Sequence, residues 1–234
     1  MGKIVITGAS SEIGLSITGK LAGLGKPMVL HCFKNSDTLE RWRGVAEIVK
    51  ADFSQREELD MFIAGLDDVE ILVYASAVTD AGLVPQIDEE SLNNTIQVNI
   101  FAYTKICQAL IPRMCSKRSG NIIGISSVSA NRVFKGQGVY AGSKAYMEAF
   151  TKAIAIEYGK KGVRANCVAP GSIEAGALKR MNSFGMEEIK QVNSLNRLGS
   201  PEDVAEVVHF LCTPASSFIT GTVIEISGGH LMGV

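Results

Sequence analysis

Lys3-Ile4-Val5-Ile6-Thr7-Gly8-Ala9-Ser10-Ser11-Glu12-Ile13-Gly14 is the stretch on which the fold turns. Lys3 to Thr7 is apolar without alternation, which suits a strand covered on both faces. It passes through a turn of small residues into a helix-period pattern over Ile13 to Leu24. The same unit recurs outward along the chain. Apolar runs at Met28 to Phe33, Glu47 to Val49, Ile71 to Tyr74, Asn121 to Ile125, Ala165 to Val168 and Val223 to Ile226 predict further strands. Between them, Ser54 to Leu66, Glu89 to Met114, Val139 to Tyr158 and Pro201 to Cys212 carry helical periodicity.

Continuous apolar strands alternating with helices predict an α/β fold: a doubly wound, Rossmann-like, mainly parallel sheet of about seven strands with helices on both faces. Helix starts are legible too. Ser200-Pro201-Glu202-Asp203 places a capping hydroxyl before a first-turn proline and two acids. Ser54 with Glu57 has capping-box spacing, and Ser36 before Asp37 predicts a start after the second strand. Residues 172–198, rich in Gly, Asn, Ser, Lys and Met, form the one long excursion and are read as a substrate lid. Without repeats or a linker-like shift in composition, residues 1–234 read as a single dinucleotide-binding and catalytic domain.

Composition narrows the class. Hydrophobic residues are 46% and charged residues 20% of 234, an ordinary globular balance that excludes disorder. A formal net charge of -1 with interspersed signs disfavours nucleic-acid binding. Cys32, Cys107, Cys115, Cys167 and Cys212 are odd in number, scattered and without C-x-x-C spacing, and His31, His209 and His230 lack a ligand arrangement. No metal site is expected, and the histidines read as structural. No export signal precedes Lys3 and no apolar run reaches the roughly 20 residues of a membrane helix, so a cytoplasmic protein without membrane contact is expected. Asn93-Asn94-Thr95 then matches a glycosylation acceptor only by chance.

The turn after the first strand lies where a parallel sheet offers its carboxyl edge to ligands. Small residues let the backbone approach a pyrophosphate, and the helix N-terminus that follows favours its charge. At the end of the second strand, His31-Cys32-Phe33-Lys34-Asn35 has a lysine where an acid would bond the ribose hydroxyls of NAD. The Lys34 ammonium suits a 2′-phosphate, so NADP(H) is the expected cofactor.

Tyr140-Ala141-Gly142-Ser143-Lys144 sits near the start of a long predicted helix, and i, i+4 spacing puts phenol and ammonium on one face. An adjacent cation favours the phenolate of a group whose free pKa is about 10. Such a phenol suits proton transfer to the alkoxide that forms when a ketone is reduced. Ser126, Ser127 and Ser129 follow the fifth strand, again at the carboxyl edge, where a hydroxyl can bond a substrate oxygen.

From Lys3 to about Gly229 the chain resembles the short-chain dehydrogenases/reductases. In their T-G-x-x-x-G-x-G pattern Thr7, Gly8 and Gly14 match, and Glu12 replaces the middle glycine, a like charge beside a diphosphate. The resemblance implies a catalytic tetrad. Ser127 orients the carbonyl, Tyr140 is the acid/base, Lys144 binds the nicotinamide ribose while lowering the tyrosine pKa, and Asn99 holds a water linking Lys144 to solvent. It implies cofactor contacts at Thr7, Gly8, Ser10, Ser11, Glu12, Ile13, Gly14, Lys34, Asn35, Asp52, Phe53, Ala75, Tyr140, Lys144, Pro170, Gly171 and Ile173, with Asp52 on the adenine amino group. Two further departures are Tyr74-Ala75-Ser76-Ala77 in place of N-N-A-G, which loosens the cofactor wall, and Ala175 in place of a threonine.

Within the family the segment around Gly82-Leu83 and the C-terminal pattern are most similar to 3-oxoacyl-acyl-carrier-protein reductases. The implied function is NADP(H)-dependent reduction of a 3-oxoacyl thioester to a secondary alcohol. Action on another carbonyl or alcohol, such as a polyketide, sugar or steroid, is the alternative, and a catalytically weak regulatory cofactor-binder a further one. Arg113, Lys117 and Arg118, with Arg132 and Lys135, read as a basic cluster near the mouth that could meet an acidic carrier protein. The resemblance also implies a homotetramer.

Overall fold

A computed structural model describes residues 2–176 and 193–229. Its sheet has seven parallel strands in the order β3-β2-β1-β4-β5-β6-β7: β1 (Lys3–Thr7), β2 (Met28–Cys32), β3 (Ala46–Lys50), β4 (Val69–Tyr74), β5 (Gly120–Ile125), β6 (Val163–Pro170) and β7 (Val223–Ile226). Strand order reverses direction at β1, which lies between β2 and β4. That reversal opens a crevice beyond the carboxyl ends of β1 and β4.

The central strands are buried on both sides, and successive residues feed opposite layers. Val5, Leu72 and Ile122 join one core with α2 (Arg56–Ala64), α4 (Tyr103–Lys117) and α5 (Gly138–Tyr158). Ile4, Ile6, Val73 and Ile123 join the other with α1 (Glu12–Ala22) and α6 (Pro201–Leu211). Where α1 meets α6, Ile17, Leu21, Val204, Val208 and Leu211 are fully buried. Each such side chain stabilises the layer by roughly 1.5–3 kcal/mol. The outer strands differ: residues of β3 and β7 are partly covered or exposed, since each strand has one neighbour.

The start of α6 agrees with its sequence: Ser200 and Asp203 form a reciprocal capping box, and Arg197 pairs with Asp203. Two other expected starts are corrected. Helix α2 begins at Arg56 after Gln55, without a side-chain cap, because Asp52 Oδ1 takes the Ser54 N–H and Glu58 takes the Asp52 N–H. The segment Ser36–Trp42 is a 3₁₀ helix whose preceding residue, Asn35, makes no side-chain cap.

The helix expected over Glu89 to Met114 is continuous but not uniform. It runs as α3 (Glu89–Thr95), a π-helical stretch (Ile96–Ala102) and then α4. π turns cluster at functional positions, and this one contains Asn99. Of the expected lid, Ser172–Gly176 and Asn193–Leu198 belong to the described residues and 177–192 lie outside them.

Candidate active site

Gly8 and Gly14 shape the turn between β1 and α1. Gly8 has φ +65°, and a Cβ there would come within 2.7 Å of the Ala75 carbonyl oxygen; one on Gly14 would meet the Gly8 oxygen at 2.3 Å. Ser11 caps α1, accepting from Gly14 N–H at 3.0 Å and donating to the Gly8 carbonyl at 2.9 Å. A first-turn N–H such as that of Ile13 has no intrahelical acceptor. This side-chain-free cradle, open at a helix N-terminus, fits a dinucleotide diphosphate.

Thr7, fully buried, carries the turn to the wall of the crevice: its Oγ1 accepts from the N–H groups of Ala75 and Ser76, both at 3.2 Å. Tyr74 donates its hydroxyl to the Val98 carbonyl and packs on Tyr103, ring centres 5.0 Å apart. The expected loosening of this segment is therefore corrected. A buried phenol with a backbone acceptor holds this position.

Glu12 does not face the turn alone. Its Oε2 accepts from the Gly176 N–H at 2.6 Å, so the carboxylate reaches across to the segment beyond β6. There Gly171 donates to the Ile226 carbonyl at 2.9 Å, Pro170 ends β6, and Ile173 is buried in an isolated bridge with Gly199. Ala175 packs against the neighbouring core.

His31 is the residue whose part the sequence did not reveal. It is 2% exposed; Nδ1 accepts the Gly8 N–H at 3.2 Å, Nε2 meets the Ala51 carbonyl at 2.9 Å, and the ring stacks on Phe53 at 3.9 Å. These partners fix the neutral ring with its proton on Nε2. Burial lowers its pKa to about 4. The folded ring thus stays neutral while the unfolded one takes a proton near pH 6.5, and the unfolded state binds more protons between those values. Stability is present in full above pH 6.5 and falls as pH drops toward 4, by about 3 kcal/mol from this residue. Calorimetric melting from pH 7 to 4 should show a fall that His31→Asn reduces by that amount; an identical slope in the variant would refute it.

Farther along the edge, Lys34 and Asn35 are exposed at the end of β2, with Lys34 Nζ 4.7 Å from the Phe33 ring centre. Asp52 and Phe53 follow β3. Ser10 continues the turn after Ala9.

The second group of side chains converges at the end of β5. Ser127 precedes a short 3₁₀ turn, its Oγ accepts from Ser129 N–H at 3.1 Å, and its side chain faces the Tyr140 phenol. Lys144 is 2% exposed, donates to the Ile125 carbonyl at 2.7 Å, and lies 5.6 Å from the Tyr140 ring centre. Burial lowers its pKa to about 8, against the opposing influence of Cys167 and Glu148.

Proximity of Tyr140 and Lys144 agrees with their spacing. Burial raises the Tyr140 pKa, and Ser127 opposes the rise. Asn99, fully buried, clamps the chain after β4: Oδ1 accepts from Val78 N–H at 2.8 Å, and Nδ2 donates to the Val78 carbonyl and Ser143 Oγ, both at 2.9 Å. Both its donors are committed, which leaves the second lone pair of Oδ1 for a water.

The basic cluster is also corrected. Helix α4 ends where β5 begins, so Lys117 and Arg118 lie at the amino edge of the sheet, opposite the crevice. Lys117 pairs with Asp68, Arg113 donates to the Leu66 carbonyl and Arg118 to that of Lys160, while Arg132 meets Glu225. Among the described residues no cluster of His, Cys, Asp or Glu could hold a metal, and no helix is long and apolar enough to cross a membrane.

Residues 8–230 match the sequence profile of a family described as enoyl-(acyl carrier protein) reductase. The 3-oxoacyl-[acyl-carrier-protein] reductase of Chlamydia trachomatis is 31% identical over 96% of this chain and 95% of its own length. That of Rickettsia conorii is 32% identical over 97% and 96%. An uncharacterised oxidoreductase of Bacillus subtilis is 29% identical over 96% and 97%. A crystal structure provisionally named a betaketoacyl-ACP reductase superposes with a TM-score of 0.89 at 27% identity, covering 97% of this chain and 96% of its own.

Proposed function

The chain belongs to the short-chain dehydrogenase/reductase family of oxidoreductases, and from that premise we propose that it reduces a 3-oxoacyl thioester to the secondary alcohol using NADP(H). The observation that carries the reading is the Ser127 side chain facing the Tyr140 phenol, backed by Lys144, at the same sheet edge as the glycine turn. Bound reduced cofactor would supply a hydride. The chain supplies the rest. Ser127 Oγ and the Tyr140 hydroxyl orient one carbonyl oxygen, and Tyr140 gives its proton to the alkoxide as charge develops there, a contribution of about 10²–10⁴-fold. A protonated Lys144 stabilises the phenolate left behind, and Asn99 keeps the wall beside it in place.

Lys34 supports NADP(H), since an exposed ammonium at the end of β2 can meet a 2′-phosphate. The relatives' names support a substrate carried on acyl carrier protein. The same reading makes the chain one catalytic unit, cytoplasmic and homotetrameric. The family description raises a second reading, reduction of the enoyl double bond. Two hydroxyls directed at one oxygen favour the ketone.

NADPH oxidation measured with acetoacetyl, crotonyl and simple-ketone substrates tests this. The acetoacetyl thioester should be turned over with the highest kcat/KM and the crotonyl thioester not at all. The reverse order would replace the ketone reading by the enoyl one.

A further inference from the structure

Glu148 lies one helical turn beyond Lys144 on α5, is 5% exposed, and has no part in the reduction described above. A carboxylate is buried at a cost unless it is hydrogen-bonded and its charge is answered. Ser126 Oγ, 3% exposed, donates to Glu148 Oε1 at 2.7 Å, and the Ser126 N–H donates to the Val168 carbonyl at 2.7 Å.

Consecutive residues at the end of β5 are thus tied to three successive turns of α5. The Ile125 carbonyl accepts from Lys144, Ser126 donates to Glu148, and Ser127 faces Tyr140. The spacing i, i+4, i+8 keeps Tyr140, Lys144 and Glu148 on one helix face.

Resting on the reading of Tyr140 and Lys144 given above, we propose that Glu148 is a positioning residue that fixes the Ser126–Ser127 turn against α5 and holds the proton on Lys144. Among the described residues, the titratable groups facing the ammonium are Tyr140 and Glu148 on its own helix and Cys167 on β6. Burial pushes the Cys167 thiol up to about 12 and the Tyr140 phenol above its ordinary value, so both are neutral at pH 8. Glu148 is the remaining acidic side chain facing it.

Three variants separate the two tasks. Glu148→Gln keeps an acceptor for Ser126 and removes the charge; Ser126→Ala keeps the charge and removes the bond; Glu148→Asp keeps the charge on a shorter arm. The readouts are the pH titration of the Lys144 side chain by ¹⁵N/¹³C NMR in cofactor-free protein and the pH profile of kcat for carbonyl reduction. In Glu148→Gln the Lys144 titration and the alkaline limb of kcat should both move to lower pH by about one unit, a tenfold change in proton affinity. Glu148→Asp should restore the titration. Ser126→Ala should lower kcat several-fold at every pH without moving either curve.

A folded Glu148→Gln protein with the parent titration overturns the proposal, as does a Ser126→Ala protein with parent kcat. If Glu148→Gln does not fold, a shifted titration in Glu148→Asp that equals the shift in Ser126→Ala overturns it, because geometry alone would then explain both. A wild-type protein inert toward every carbonyl sinks the functional reading while the NMR titration still decides the role of Glu148.

Discussion

Tyr140→Phe lowers kcat for carbonyl reduction by about 10²–10⁴-fold, the range for loss of a general acid, and leaves the dissociation constant of NADPH near its parent value. The loss is confined to kcat because the phenol faces Ser127 and takes no part in shaping the glycine turn. Removing one hydroxyl from a partly buried ring leaves the fold intact, and Ser127 retains the Ser129 N–H as a partner. Stopped-flow reduction at saturating NADPH, with binding followed by cofactor fluorescence, separates the two quantities. A variant with parent kcat would remove Tyr140 from the reaction, and with it the proposed mechanism.

Lys34→Glu reverses cofactor preference. Replacing an ammonium by a carboxylate beside a 2′-phosphate exchanges an attraction for a like-charge contact, so kcat/KM with NADPH falls by about 100-fold or more. With NADH it changes little, because a carboxylate at that strand end can accept from ribose hydroxyls. Lys34 is exposed, so the discrimination shrinks as salt screens it. Measurements with both cofactors at 20 and 300 mM salt would show this. A wild-type enzyme that prefers NADH would refute the assignment of Lys34 at once.

The sheet was readable because its central strands are covered on both faces and therefore continuously apolar, as Leu30, Leu72 and Ile122 illustrate. Strand β6 was read short, since Arg164 interrupts its start and Pro170 its end. Spacing and resemblance pointed to Asn99, Ser127, Tyr140 and Lys144, but the partners these side chains take were not legible. Spacing placed Lys144 next to Tyr140, yet which acceptor the ammonium takes depends on the Ile125 carbonyl, a backbone group with no sequence signature. His31 lies inside an apolar run, and only the stacking of Phe53 and the closeness of Gly8 give its ring a task. The basic residues failed as a cluster because sequence proximity says nothing of which sheet edge a helix end reaches.

The stretch Ile96–Ala102 winds more widely than the helices on either side, so the α3–α4 rod holds an extra residue. Asn99 owes its bearing toward Val78 and Ser143 to that surplus. Excising one residue would heal the winding yet swing the amide about 100° around the axis. In this stretch the chain therefore tolerates exchange of side chains better than any change in its length.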